Sequence, residues 1–239
     1  MTIRHVLVVV PARDEQKTIG RSLGSIDAAR EQLDPTVTST VVVVADSCTD
    51  DTVEIALEVL NERPDDVVLV TPAGCAGAAR LNGTDRGLTD LAYGLDEVWV
   101  ASTDADTTVG PEWLTTQVAF AADGFVAAAG IVELRSRSLT DRALVEAFRS
   151  TYEVRPDGTH PHVHGANMGF RADAYRAAGG WNPLATGEDH DLWNRLRLTG
   201  PVVSSTQLRV ATSMRLRGRA PDGFANDLAM LAFPSTTVA

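Results

Sequence analysis

The feature that most constrains this chain is a set of four short β-branched runs, each of which closes on polar residues. Val6–Val10 is apolar throughout and stops at Pro11, and Val41–Ala45, Val67–Val70 and Val98–Ala101 repeat the pattern. A strand that is hydrophobic at every position must be covered on both faces, the condition of a parallel sheet between helices. Helical stretches over Gln16–Ala29, Thr52–Asn61 and Ala76–Leu91 separate the runs. This alternation predicts an α/β fold: a single Rossmann-like domain with a central, mostly parallel sheet flanked by helices and joined by right-handed crossovers. In such a sheet a ligand binds at the carboxyl ends of the strands.

Beyond Asp106 the rhythm changes. Pro111–Ala122 reads as a helix with Pro in its first turn, followed by a strand near Phe125–Val132 and a helix over Leu139–Tyr152. Arg155–His164 is a polar loop. Helices are expected around Arg171–Ala178 and Glu188–Leu198, and short strands near Val202 and Leu208. There is no internal repeat or low-complexity linker, so the second half is expected to complete the first domain and not to begin another.

Charge excludes one class of partner. Lys and Arg number 21 against 32 Asp and Glu, a net charge of −11. A surface of that sign repels a polyanion, so nucleic acid is not an expected partner. Cys48 and Cys75 lack metal-ligand spacing and are expected as reduced thiols. The apolar stretch Val6–Pro11 is too short for the core of a secretory signal, and no later run approaches a membrane span. The expected location is the cytoplasm.

The polar strand ends carry the chemistry. The first strand runs into Pro11-Ala12-Arg13-Asp14-Glu15, the second into Asp46-Ser47-Cys48-Thr49-Asp50-Asp51-Thr52, the fourth into Ser102-Thr103-Asp104-Ala105-Asp106. Helix capping accounts for Asp50, Asp51 and Thr52, because short polar side chains satisfy the free amides of a helix start. It does not account for Asp104 and Asp106, since no helix is expected before Pro111. Two carboxylates around one small residue at a strand end suit Mg²⁺ or Mn²⁺, hard cations that fill the remaining shell with phosphate oxygens and water.

These segments together resemble the successive motifs of family 2 glycosyltransferases. Added to Pro11–Glu15, Asp46–Thr52 and Asp104–Asp106 are Gly77-Ala78-Ala79-Arg80-Leu81-Asn82-Gly83, Gly165-Ala166-Asn167-Met168-Gly169-Phe170-Arg171, Gly179-Gly180-Trp181 and Glu188-Asp189-His190-Asp191-Leu192, all in order. The resemblance spans residues 5 to 200. It implies a GT-A type fold and transfer of a sugar from a nucleoside diphosphate sugar to an acceptor hydroxyl, with inversion. Residues 1–110 would form the nucleotide-binding half of a 1–239 domain, and 111–239 the acceptor-binding half with a closing C-terminal segment.

The resemblance also implies roles. Pro11, Ala12, Arg13 and Glu15 would border the nucleotide, with Asp46 accepting a hydrogen bond from the base. Arg80 would sit beside the diphosphate or brace the base pocket. Asp104, Ala105 and Asp106 would hold the ribose and a divalent metal, Asp106 being the direct ligand. Asn167 would touch the donor sugar or the acceptor. Asp189 would be the catalytic base, with Asp191 the alternative. Helical spacing agrees on Asp189, which shares a face with Leu192, Trp193 and Leu196 and so points inward, whereas Glu188 and Asp191 fall together on a different face.

One departure stands out. Family members often supply a further histidine ligand near the C-terminus, yet no histidine follows His190. Arg215, Arg217 and Arg219 occur there at alternate positions, which share one face of an extended strand. Arginine forks bind phosphate well, so this segment, through Arg217 and Arg219, is expected to close over the diphosphate. His160, His162 and His164 also alternate and are expected in a loop, either in a neutral role or with His164 contacting substrate. Trp181 after its two glycines is expected either in the core or lining an acceptor pocket. Two other classes fit part of the pattern, a sugar nucleotidyltransferase and a non-catalytic sugar-nucleotide-binding protein. The first lacks its Gly-rich phosphate loop, since Pro11–Glu15 stands there, and the second has no need of Asp189.

Overall fold

The computed structural model describes residues 2–89, 91–135, 141–216 and 224–232. Its elements run β1 (His5–Ala12), α1 (Ile19–Arg30), β2 (Thr38–Asp46), α2 (Thr52–Leu60), β3 (Val67–Thr71), α3 (Ala76–Leu88), β4 (Val98–Ser102) and β5 (Thr108–Val109). The second half continues with α4 (Trp113–Ala122), β6 (Ala127–Leu134), α5 (Arg142–Ser150), β7 (Met168–Arg171), α6 (Ala172–Ala177), α7 (Glu188–Leu196), β8 (Val202–Thr212) and α8 (Phe224–Ala232). All eight strands join one sheet in the order β3-β2-β1-β4-β7-β6-β8-β5.

Why β1 is central follows from its sequence. Val6, Val8 and Val10 pack with Ile19, Leu23 and Ile26 of α1 on one face. Leu7 and Val9 pack with α3 on the other. Covering both faces is worth about 1.5–3 kcal/mol for each large apolar side chain. Gly83 and Gly87 of α3 let that helix approach closely, because a Cβ on Gly83 would lie 2.7 Å from Val9 and one on Gly87 2.3 Å from Leu7. β1 pairs in parallel with β2 and β4, and β2 with β3. This is the parallel half read from the four apolar runs.

The second half departs from a plain parallel sheet. Met168–Arg171 forms a strand, β7, antiparallel to both β4 and β6, where the sequence suggested only the approach to a helix. The strands expected near Val202 and Leu208 are one long strand, β8, parallel to β6. A register shift between Gly130 and Ile131 absorbs the irregularity that made it read as two. β5 pairs antiparallel with β8 at the edge. The sheet is therefore mixed, with the switch at β7. A third small cluster, Leu134, Phe148 and Leu228, joins β6, α5 and α8. No helix among the described residues is long and apolar enough to cross a membrane.

Candidate active site

A cavity of about 520 Å³ lies at the carboxyl ends of β1, β2 and β4. Pro11, Ala12, Arg13, Glu15, Asp46, Arg80, Asp104, Ala105, Asp106 and Asp189 all line it, drawn from segments scattered over the chain.

At the β1–β2 end the backbone bends sharply. Asp14 and Ser47 adopt the left-handed region, with φ of 50° and 53°, an uncommon conformation tolerated best by short polar residues. Asp14 Oδ1 accepts the Thr49 N–H at 2.7 Å and the Thr49 hydroxyl at 3.1 Å, clasping the two strand-end loops together. Asp50 Oδ1 accepts the Thr52 N–H at 3.1 Å, so it serves the start of α2 as capping predicts. Asp46 Oδ1 accepts the Gly74 N–H at 2.9 Å, while its Oδ2 stands 4.0 Å from Arg13.

The acid pair is held by two arginines. Arg80 donates to Asp104 Oδ1 at 2.6 Å, to Glu188 Oε1 at 2.5 Å and to Ser102 Oγ at 3.1 Å. It is 3% exposed and lies 5.5 Å from the centre of the Trp181 ring, so Trp181 belongs to the core beneath the site. The second arginine is Arg215, which bridges Glu15 and, at 3.2 Å, Asp106 Oδ2. Alternate spacing had marked its segment, but the roles fell to Arg217 and Arg219, which lie outside the described residues. Burial pushes the Asp106 carboxyl up to about 6; Arg215 opposes this, and Asp104 and Glu15 add to it.

That setting suits a cation. Asp104 and Asp106 are hard oxygen donors side by side, and a cation would supply the Asp106 carboxylate with the stabilisation that burial denies it. Among the described residues no group of three or more His, Cys, Asp or Glu is arranged to hold a metal ion. The residues thus fit Mg²⁺ or Mn²⁺ bound through one or two carboxylates and completed by a ligand's phosphates and water, not a cage built from protein alone.

The opposite wall comes from α7. Asp189 Oδ2 accepts the Gly165 N–H at 2.9 Å and Oδ1 accepts the His190 N–H at 2.8 Å, which fixes its carboxylate at the cavity edge. Leu192 and Leu196, on the same helix, are fully buried, as the spacing indicated. Two expectations on this helix need correction. Glu188 is not turned away from the site with Asp191, for it lines the cavity and is buried against Arg80, and burial raises its pKa while Arg80 opposes the shift. Asp191 does not line the cavity; it accepts hydrogen bonds from Arg195 and, at 2.9 Å, from Asn182, outside the site.

Asn167 is the third correction. It is fully buried and does not line the cavity. Its Nδ2 donates to the Ile131 carbonyl at 2.8 Å and the Leu208 carbonyl at 3.1 Å, and its Oδ1 accepts Trp113 Nε1–H at 2.9 Å. The side chain satisfies the backbone at the bulge between β6 and β8, which leaves nothing for a sugar. Gly130 makes room for it, since a Cβ there would come within 2.2 Å of the amide. Gly165 is likewise required by the approach of Arg80, 2.7 Å from where its Cβ would stand.

His160, His162 and His164 stack in a row, with ring centroids 6.0 and 6.4 Å apart, and His164 lines the cavity. Val132, Val163, Phe224 and Ala225 form the apolar wall beside it. A closing C-terminal segment was expected, but not that a helix, α8, would bring Phe224 and Ala225 to the site.

Comparison with known proteins agrees with this geometry. Residues 4–221 match the model of the family described as glycosyltransferase like family 2. No curated protein matches the chain by sequence. Among solved structures, it is similar to Staphylococcus aureus TarS 1-349 in complex with UDP, at 16% identity and a TM-score of 0.64, covering 90% of this chain and 61% of that one. It is similar to the mannosyltransferase PcManGT from Pyrobaculum calidifontis in complex with GDP-Man and Mn²⁺, at 18% identity and a TM-score of 0.64, covering 98% and 70%. Mycobacterium tuberculosis glucosyl-3-phosphoglycerate synthase is a third, at 18% identity and a TM-score of 0.54, covering 96% and 77%. The chain spans 37% of a longer TarS chain. At these identities the likeness is one of fold.

Proposed function

The chain belongs to glycosyltransferase like family 2, and on that premise we propose that it transfers a sugar from a nucleoside diphosphate to an acceptor hydroxyl, with inversion at the anomeric carbon. The observation that carries this reading is the meeting of Asp189, anchored by Gly165 N–H, with the Asp104–Asp106 pair in one cavity at the strand ends. Residues 1–110 supply the nucleotide side, where Ala12 and Asp46 border the base, and the later residues supply the acceptor side. The relatives crystallised with UDP and with GDP-Man and Mn²⁺ support a nucleotide sugar as donor.

Asp189 takes the proton of the attacking hydroxyl, and the leaving group is the nucleoside diphosphate. Asp106, with Asp104 beside it, would hold a divalent cation, which supplies positive charge to the departing diphosphate. Arg215 brings a second positive charge to the same edge of the cavity, and Arg80 fixes the orientation of Asp104 from below. Isothermal titration of UDP, GDP and TDP with Mn²⁺ present tests the reading. Binding of at least one nucleotide is expected, and silence from all three at millimolar concentration rejects it.

A further inference from the structure

The two ring nitrogens of His164, in the cavity wall, have different fates. Its Nε2 lies 2.9 Å from the Tyr152 hydroxyl oxygen. That oxygen already accepts the Val132 N–H, at 3.0 Å. A phenol has a single proton, and burial pushes the Tyr152 hydroxyl up to about 12, so it remains a donor. With no other acceptor for that proton among the described residues, the chain of bonds runs Val132 N–H to Tyr152 Oη, then Tyr152 O–H to His164 Nε2. Burial also keeps His164 neutral, lowering it to about 4. A neutral imidazole that accepts at Nε2 must carry its proton on Nδ1.

Nδ1 has no partner among the described residues, and it is absent from the buried polar atoms that lack one, so it faces the cavity. The ring is held in place by the edge of Phe224, at a centroid distance of 5.9 Å, and by His162 in near-parallel stacking at 3°. The next residue, Gly165, is the anchor of Asp189. Resting on the proposed glycosyl transfer, we infer that His164 is a specificity-determining residue that donates its Nδ1–H to a hydroxyl oxygen of the sugar substrate bound beside Asp189, with Tyr152 as the positioning residue that fixes the tautomer. The neutral ring orients a hydroxyl through Nδ1–H without competing for its proton, because its one basic nitrogen, Nε2, is already engaged by Tyr152.

Two measurements on the full chain test this. In protein labelled with ¹⁵N-histidine, the His164 signal, assigned by its loss in His164→Phe, should show a protonated Nδ1 and a bare Nε2. Tyr152→Phe should let the Nε2–H form appear. The second measurement is release of nucleoside diphosphate from UDP-glucose and GDP-mannose. His164→Phe should lower the rate about 10-fold, the order expected for one lost hydrogen bond, whereas His164→Asn, which offers an amide N–H near the same place, should stay within about 3-fold of wild type. An Nε2–H tautomer in the wild type overturns the inference, as does a His164→Phe rate equal to that of His164→Asn. If the wild type cleaves neither nucleotide sugar, the transfer reading fails and the substrate contact with it, while the tautomer result still decides the role of Tyr152.

Discussion

Arg80 on α3 and Glu188 at the start of α7 meet at 2.5 Å across 108 residues of sequence, both buried in the cavity lining. The pair ties the nucleotide side to the wall that carries Asp189. Removing the arginine would strand the buried Glu188 carboxylate without its partner and release the half-exposed Asp104. Arg80→Ala is therefore expected to lose about 3–5 kcal/mol of stability, the usual consequence of breaking a buried pair from one side. Urea unfolding checks this, and a loss below about 1 kcal/mol would mean that the pair is dispensable.

Asp189 and Asp191 are separable by experiment. Asp189→Asn keeps the shape and one of the two backbone hydrogen bonds but not the basicity, so turnover should fall by roughly 10²–10⁴ while nucleotide affinity holds. Asp191→Asn weakens only contacts to Arg195 and Asn182 and should leave turnover within about 2-fold, in line with the small worth of surface pairs. Steady-state rates and nucleotide titrations on both variants check the pair. The reverse ranking would move the base to Asp191.

Arg215 and Asp106 should act on metal affinity with opposite signs. Asp106→Asn removes a donor and is expected to weaken Mn²⁺ binding. Arg215→Ala removes a positive charge 3.2 Å from that donor and should tighten Mn²⁺ binding about 10-fold in the absence of nucleotide. Mn²⁺ titration followed by electron paramagnetic resonance measures both, and a shift of both variants in the same direction rejects the arrangement.

Two histidines set an acid limit on stability. Burial lowers both His5 and His164 to about 4, so the folded chain holds them neutral while the unfolded chain protonates them near 6.5. The unfolded state thus binds more protons between these values. The stabilisation is complete above about pH 6.5 and is lost as pH falls towards 4, at about 2 kcal/mol per histidine by pH 5. Denaturant unfolding at pH 7 and pH 5 checks the slope, and His5→Gln should flatten its share of it.

How much of this was legible in the sequence divides along physical lines. Local regularities read well, because the four apolar runs need only their own composition to be recognised as doubly covered strands. Asp189 also read well, since helical spacing fixed its face relative to Leu192 and Leu196. Asn167 read badly. The family resemblance implied contact with the sugar or the acceptor, yet the neighbouring Gly165 and Gly169 clear space for Arg80 and for the Trp99 and Gln117 side chains. The backbone carbonyls that occupy Asn167 come from Ile131 and Leu208, distant positions that only the fold brings together. Glu188 failed for the same reason, because its partner is supplied by a helix 108 residues earlier. β7 went unseen because four residues leave no room for a period.

The Asp14–Thr49 clasp has a consequence for kinetics. The two loops that border the nucleotide are locked to each other through a carboxylate, and both bends hold uncommon conformations. Because the clasp is made only of this chain's own atoms, folding alone is expected to order the rim, ahead of donor docking. The donor therefore meets a template already formed. Its capture should be a single fast bimolecular step, without the slow isomerisation that follows encounter when a loop must first find its shape.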